Sequence, residues 1–271
     1  MGFSAADNKA CEELCALVKN AAYCVALTGA GVSTLSGIRD FRGKNGLYKE
    51  MDAEKIFDID YFYRDPSFYY SHADFIYDLE EKRPSIVHTV LGALEAKGLV
   101  KSVITQNIDL LHTRGGSKKV IEIHGSPQVH YCPGCQNPSA AEEAALAGSE
   151  AIKAGGFMGF EEAAAIVRKG GMPRCSSCGR VLKPAITFFG ESLPVTALSA
   201  AEAASQKADL MLVLGTSLTV FPAAGLPQLT LRGGGKIVIV NEMETPLDRY
   251  AAMRFSDLAV VFEGIKSFFS L

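Results

Sequence analysis

The 271-residue sequence predicts an α/β fold: a Rossmann-like parallel sheet with a smaller domain made of a helical module and a four-cysteine metal module. Three observations predict it. Short, continuously apolar runs alternate with helical patterns, as in a parallel sheet covered on both faces. The first of these runs feeds directly into the glycine-rich turn Gly29-Ala30-Gly31-Val32-Ser33. Two cysteine pairs, Cys132-Pro-Gly-Cys135 and Cys175-Ser-Ser-Cys178, then interrupt the alternation.

In chain order, Asp7 is placed to cap a helix running to about Asn20, and Tyr23 to Thr28 reads as a buried strand entering the glycine turn. Similar apolar runs recur at Val100 to Thr105, Val120 to Ile123, Leu210 to Leu214, Ile237 to Val240 and Leu258 to Phe262. Helical patterns at Ser85 to Lys97 and Ala197 to Lys207 separate some of them. Tyr48 to Glu81, rich in aromatics, reads as a helical module with its own packing, and the stretch joining the cysteine pairs reads as helical at Ala140 to Lys153 and Phe160 to Lys169. This divides the chain into a nucleotide-binding domain (1–41, 86–125 and 184–271), a loop and helical module (42–85) and a metal module (126–183).

Each CxxC turn offers two sulfurs to one ion, so Cys132, Cys135, Cys175 and Cys178 match a tetrahedral Zn2+ site. Four thiolates leave no open position for water, which makes the metal structural. Cys11, Cys15 and Cys24 lie in apolar surroundings and read as core filling, and seven cysteines in all argue against a disulfide framework. A net charge of −3 carries no basic excess that would advertise nucleic acid. The apolar runs are too short to span a bilayer, the amino end lacks a secretory pattern, and Ala6 stands where a myristoylation signal needs Ser or Thr. The expectation is a cytoplasmic protein with no membrane or nucleic-acid partner.

A glycine turn after a strand suits a diphosphate, yet Thr34 occupies the third position of a GxGxxG pattern and no acidic strand end follows to hold a ribose. Hydride transfer is therefore disfavoured. Ser36 to Gly43 then places Asp40, Phe41 and Arg42 together between glycines, as in a mobile lid. Gln106, Asn107, Ile108 and Asp109 follow the end of a strand, where open α/β sheets present ligand-binding groups, and offer two amides and an acid to a carboxamide. His124 also follows a strand end and is the side chain best suited to proton transfer near neutral pH. His72, His88, His112 and His130 lack such placement and are assigned no chemistry. Gly215, Thr216 and Ser217 close one apolar strand and Asn241 another, so that polar residues at several strand ends suit one extended ligand.

This order of motifs, continued by Phe189-Gly190-Glu191, resembles the sirtuin family from about residue 20 to 262. The resemblance implies an NAD-dependent protein lysine deacylase, with a Rossmann domain, a small zinc domain and an acyl-lysine tunnel between them. It implies that Ala30, Gly31, Thr34, Gly215, Thr216, Ser217 and Asn241 hold the diphosphate and adenosine half, with Asp257 and Leu258 close to the adenine. Asp40, Phe41 and Arg42 belong to the cofactor loop in that reading, and Gln106, Asn107, Ile108 and Asp109 orient the nicotinamide ribose and carboxamide. His124 is the implied general base, with Asn107 and Asp109 completing the catalytic set. Phe189, Gly190 and Glu191, with Val220 and Phe221, are the segments between which an acyl-lysine peptide adds as a strand. Arg39 stands where the family usually has proline. Tyr69 is followed by His72 rather than by the arginine of the acidic-acyl branch, which favours neutral acyl groups such as acetyl. The products implied are nicotinamide and O-acyl-ADP-ribose; the alternative on the same cofactor site is protein ADP-ribosyltransfer.

Overall fold

The computed structural model describes residues 5–40, 53–78, 81–147, 152 and 155–271. Its strands are β1 (Cys24–Thr28), β2 (Val100–Thr105), β3 (Val120–Glu122), β4 (Gly125–Tyr131), β5 (Phe157–Gly159), β6 (Lys183–Ile186), β7 (Leu210–Leu214), β8 (Lys236–Val240) and β9 (Met253–Phe255). The chain divides into two compact units: residues 1–43, 83–123 and 199–271 form the first, and 44–82 and 124–198 the second. The sequence reading cut the chain elsewhere and kept 124–125 and 184–198 with the large domain. In the structure β4 starts at Gly125 and pairs antiparallel with β6, which draws both flanks into the second unit.

The first unit holds a six-stranded sheet in the order β3-β2-β1-β7-β8-β9, with every pairing parallel. The order reverses between β1 and β7, the point at which such sheets open a ligand crevice beyond the strand ends. Both of these strands are buried at every residue. Alternation sorts their side chains. Leu210, Leu212 and Leu214 join a core with Leu14, Val18, Leu91, Leu94 and Phe262, while Met211 and Val213 join the opposite core with Ala201, Ala204 and Leu226. Helices Ala5–Asn20, Ile86–Ala96 and Leu258–Phe269 supply the first layer, and Val195–Lys207 and Leu226–Arg232 the second.

Two sequence expectations are corrected here. Leu258 to Phe262 is not a strand but the start of helix Leu258–Phe269, because the Asp257 carboxylate caps it by accepting the Val260 N–H (3.0 Å) and Val261, Phe262 and Ile265 recur at helical spacing into the core. The sixth strand is the shorter Met253–Phe255. The first helix begins at Ala5, so Asp7 lies within it rather than capping it.

The second unit contains the helices Ala53–Ile56, Ile59–Arg64, Pro66–His72 and Asp74–Tyr77 and the antiparallel sheet β5-β4-β6, which the sequence reading did not foresee. Asp58 caps the second helix and Asp65 the third, accepting backbone N–H groups at 2.7 and 3.2 Å. Phe57, Phe62, Tyr69 and Phe188 pack edge to face or tilted, with ring centroids 5.2–6.3 Å apart. Helix Phe160–Val167 falls within its predicted stretch, while Pro138–Ala147 begins two residues before the predicted start at Ala140; 148–151 and 153–154 lie outside the described residues.

Candidate active site

At the carboxyl end of the parallel sheet, the turn after β1 and the turn after β7 cross in backbone contact. Gly29 N–H donates to Leu214 O (3.0 Å), Gly31 N–H to Gly215 O (2.9 Å), and Gly215 N–H to Val240 O (2.9 Å). A Cβ on Gly31 would lie 2.8 Å from Gly215 Cα, and one on Gly215, whose φ is +59°, would lie 2.6 Å from Val32 N. Glycine is needed here for the crossing itself. The amides of Gly29 and Gly31 are engaged within the protein, donating to Leu214 O and Gly215 O.

The segment after β2 docks onto the same crossing. Gln106 N–H donates to Thr28 O (3.0 Å), and its side-chain amide donates to Thr216 Oγ1 (3.0 Å). The Asn107 side-chain amide donates to Gly29 O and to Ser33 Oγ, both at 3.1 Å. Ser33 Oγ in turn donates to Asp109 Oδ2 (2.5 Å), while Asp109 Oδ1 accepts the Leu111 N–H (2.9 Å). Leu110 between them adopts a left-handed conformation (φ 61°, ψ 8°), which turns the chain so that the buried Asp109 carboxylate meets Ser33. A carboxamide, a hydroxyl and a carboxylate are thereby linked at the switch point, and Ile108 beside them is half-buried.

Other sequence-predicted positions take these places. Thr34 is exposed, and its hydroxyl donates back to Gly31 O (2.9 Å). Buried Asn241 is tied by its side chain to Met243 O (2.8 Å), and Ser217 contacts the Thr219 hydroxyl (2.9 Å). Leu258 packs on the core, and Asp257 acts as the helix cap. Asp40 is half-buried; Phe41 and Arg42 lie outside the described residues. Phe221 is exposed and Val220 half-buried.

The second unit carries the remaining positions. The four sulfurs of Cys132, Cys135, Cys175 and Cys178 lie within 4.8 Å of one another, with Sγ–Sγ distances of 3.4, 3.5 and 3.9 Å among them. Zn–S bonds of about 2.3 Å at tetrahedral angles put sulfurs roughly 3.8 Å apart, so the cluster fits one Zn2+. Each turn closes on itself: Cys135 N–H donates to Cys132 O (3.0 Å) and Gly179 N–H to Cys175 O (2.8 Å). His124 is half-buried, and its carbonyl accepts the Thr187 N–H (2.8 Å). Phe189 bridges to the helical module, donating its N–H to Phe57 O (2.6 Å) and accepting the Ile59 N–H (3.1 Å), and the residue is 43% exposed. Gly190 follows at φ +93°.

Sequence reasoning passed over several residues of this scaffold. Lys183, fully buried, sets its ammonium 2.8 Å from the Glu191 carboxylate, 2.7 Å from Ile186 O and 4.2 Å from the Phe188 ring centroid. Burial holds its pKa below the usual lysine range, against the pull of Glu191. Glu191 also accepts the Phe188 N–H (2.8 Å) and so fixes the turn that carries Phe189. Thr28, Thr105, His88 and His112 are buried polar residues under Asn107. Only the proximity of His112 to the motif ending at Asp109 hinted at them.

A doubly wound parallel sheet with an amide, hydroxyl and carboxylate set at its switch point, joined in one chain to a four-thiolate unit, defines a Rossmann-type nucleotide protein with a structural metal module. The model of the Sir2 family matches residues 29–222, and the chain belongs to that family. It is 43% identical over 252 residues to an NAD-dependent protein deacetylase of Thermotoga maritima, covering 93% of this chain and 94% of that protein. It also resembles the solved structure of Sir2 with a deacetylated peptide and 3′-O-acetyl ADP-ribose (TM-score 0.83, 41% identity, 95% of this chain and 97% of the other). A third likeness is to Sir2Tm bound to a propionylated peptide (TM-score 0.80, 38% identity, 96% and 98%).

Proposed function

We propose that this protein removes acetyl and other neutral acyl groups from protein lysines in an NAD-dependent reaction that yields nicotinamide and O-acyl-ADP-ribose. The observation that carries the reading is the Asn107–Ser33–Asp109 constellation at the sheet's switch point, in a chain of the Sir2 family. Bound NAD supplies a reactive ribose carbon and a nicotinamide leaving group.

The protein's part is to bind, orient and move a proton. Ala30, Gly31, Thr34, Gly215, Thr216, Ser217 and Asn241 are our candidates for the diphosphate and adenosine half, with Asp257 and Leu258 at the adenine. Asp40, Phe41 and Arg42 are assigned to the cofactor loop. Gln106, Asn107, Ile108 and Asp109 hold the nicotinamide end; the fixed Asp109 carboxylate, already accepting from Ser33 and Leu111, is suited to a ribose hydroxyl or carboxamide. His124 is assigned as the general base, a role worth on the order of 10²- to 10⁴-fold. Phe189, Gly190 and Glu191, with Val220 and Phe221, would take the peptide main chain.

Neutral acyl specificity has support in the second unit. The Tyr69 side chain is fully buried, and His72 is turned back on its own helix, where Nδ1 contacts Phe68 O (2.9 Å). Neither offers the paired cationic contact that a succinyl carboxylate needs. A cytoplasmic setting fits a chain whose cysteines are divided between the four-sulfur metal cluster and the buried Cys11, Cys15 and Cys24, with none in a disulfide; among the described residues no helix is long and apolar enough to cross a membrane.

The test follows an acetyl-lysine peptide by mass, with nicotinamide release, with and without NAD and with His124→Ala. Loss of acetyl that needs both NAD and His124 bears out the reading. ADP-ribose retained on protein with the acetyl group in place replaces it with the transferase.

A further inference from the structure

Beneath Asn107 runs a line of buried polar groups whose proton positions follow from their partners. Asn107 N–H donates to Thr105 Oγ1 (3.0 Å), and so does the Thr28 hydroxyl (2.9 Å). Thr28 has one proton, and Thr105 receives it. The 2.8 Å contact between Thr28 Oγ1 and His112 Nε2 therefore requires that nitrogen to donate, which leaves His112 Nδ1 bare. His112 Nδ1 is buried with no protein partner.

The neighbouring imidazole has the opposite remainder. Ser85, which caps helix Ile86–Ala96, donates its N–H to His88 Nδ1 (3.1 Å), and its hydroxyl lies 2.8 Å from the same nitrogen and 3.0 Å from Val32 O. His88 Nδ1 is then an acceptor and the ring proton sits on Nε2, which is likewise buried without a partner. The two rings lie 4.6 Å apart between centroids and are tilted by 58°. One holds an unused donor and the other an unused acceptor. Buried polar groups in native proteins are rarely left so, and here each is what the other lacks.

We infer that His88 and His112 are positioning residues of the nucleotide site: a neutral imidazole pair in ring contact, each protonated on Nε2, in which His112 donates to Thr28 and Thr28 to Thr105, the oxygen that also accepts the Asn107 N–H. The inference rests on the proposed NAD site for its function, not for its chemistry. The pair sits where movement is constrained, since a Cβ on Gly115 would lie 2.8 Å from His88 Cβ and one on Gly92 would lie 2.6 Å from Gly115 O. Burial lowers both pKa values, to about 4 for His88, which the Asp109 charge partly offsets, and to about 3 for His112, where His88 adds to the effect. Both rings therefore stay neutral in the working range. With Thr105 Oγ1 accepting twice, Asn107 is fixed by its backbone below and by its side chain above, where it donates to Gly29 O and Ser33 Oγ.

Long-range 1H–15N spectra of the full chain carrying 15N-histidine read the tautomers directly. The expected result is two neutral Nε2–H rings near pH 7 that remain neutral near pH 5; an imidazolium or an Nδ1–H ring at either position overturns the assignment. ADP-ribose affinity by calorimetry reads the function without any turnover. His112→Phe, which keeps a ring but loses the donor to Thr28, is expected to weaken ADP-ribose about tenfold. His112→Gln, whose amide reaches the Nε2 position, is expected to stay within about threefold of the wild type. Equal affinities of the Phe and Gln variants would reduce the pair to core packing. Failure of the wild type to deacylate would sink the proposed function while leaving the tautomer and affinity results standing.

Discussion

In the first unit the glycine turns stand on β1 and β7, strands buried at every residue between two apolar layers, and are locked by a backbone crossing that admits only glycine. In the second unit the cysteine turns sit on three short antiparallel strands, and Cys135 and Cys178 are exposed. One set of turns is held by hydrophobic burial accumulated over a large sheet, the other by four sulfurs meeting at a point. The contrast shows that position in a fold can be secured either by a deep core or by local bonds of high strength, and that the two respond to different insults.

The strongest way to break that contrast is to remove the metal. Structural zinc sites contribute about 10–16 kcal/mol of apparent binding energy. Chelation or Cys175→Ser should abolish protection of β4 to β6 in hydrogen exchange while β1 and β7 stay protected; simultaneous loss in both sheets would show that the units do not fold independently. Next in size is Lys183→Met, which leaves Glu191 without its cation. Because Glu191 keeps some contact with water, a loss of about 3 kcal/mol is expected, at the low end for a broken buried pair. Urea unfolding with Phe188 and Phe189 protection as a second readout checks it, and a neutral result would assign the turn to main-chain bonding alone.

Gly215→Ala probes the first unit in the same manner. A methyl group there meets Val32 N and forces a side chain into the left-handed region, so a loss of at least about 2 kcal/mol is expected, together with weakened ADP-ribose binding. Wild-type stability would mean that the crossing relaxes freely. The smallest effect per step is the acid response, and it touches both units. His88 and His112 in the first unit and His130 in the second have folded pKa values of about 4, 3 and 3, all lowered chiefly by burial. The unfolded chain binds these protons first, so stability is full above about pH 6.5 and falls as pH drops from there toward the folded values. Each histidine accounts for up to about 1.4 kcal/mol per pH unit in that window. Replacing His130 by Phe should flatten the acid dependence of the second unit alone; an unchanged slope of melting temperature against pH would exclude it.

Much of the parallel sheet was legible because its strands are continuous apolar runs. Val100 to Thr105 and Leu210 to Leu214 were read with the bounds observed. Leu258 to Phe262 misled because an apolar run this short has no distinct period, and the arbiter, Asp257 capping, acts one residue earlier. The strands β4 to β6 were illegible since their order comes from pairing across the metal module, and a residue such as Lys183 gave no sign that it would be buried. In the candidate site, the amides and acid after β2 announced themselves by following a strand end. The histidines under them did not, because what defines them is which nitrogen lacks a partner, a property of packing rather than of spacing.

The crossing of Gly29, Gly31 and Gly215 also fixes a timetable. Thr28 pairs with Leu214, and Gly215 in turn donates to Val240 O, so the turn encoded near the amino end gains its backing only after most of the chain exists. Such long-range closure is slow, and a nascent chain emerging from the ribosome must wait with its first strand lacking a neighbour on one side. Truncation anywhere before β8 therefore removes more than the residues deleted: it withdraws the surface against which the first glycine turn is moulded.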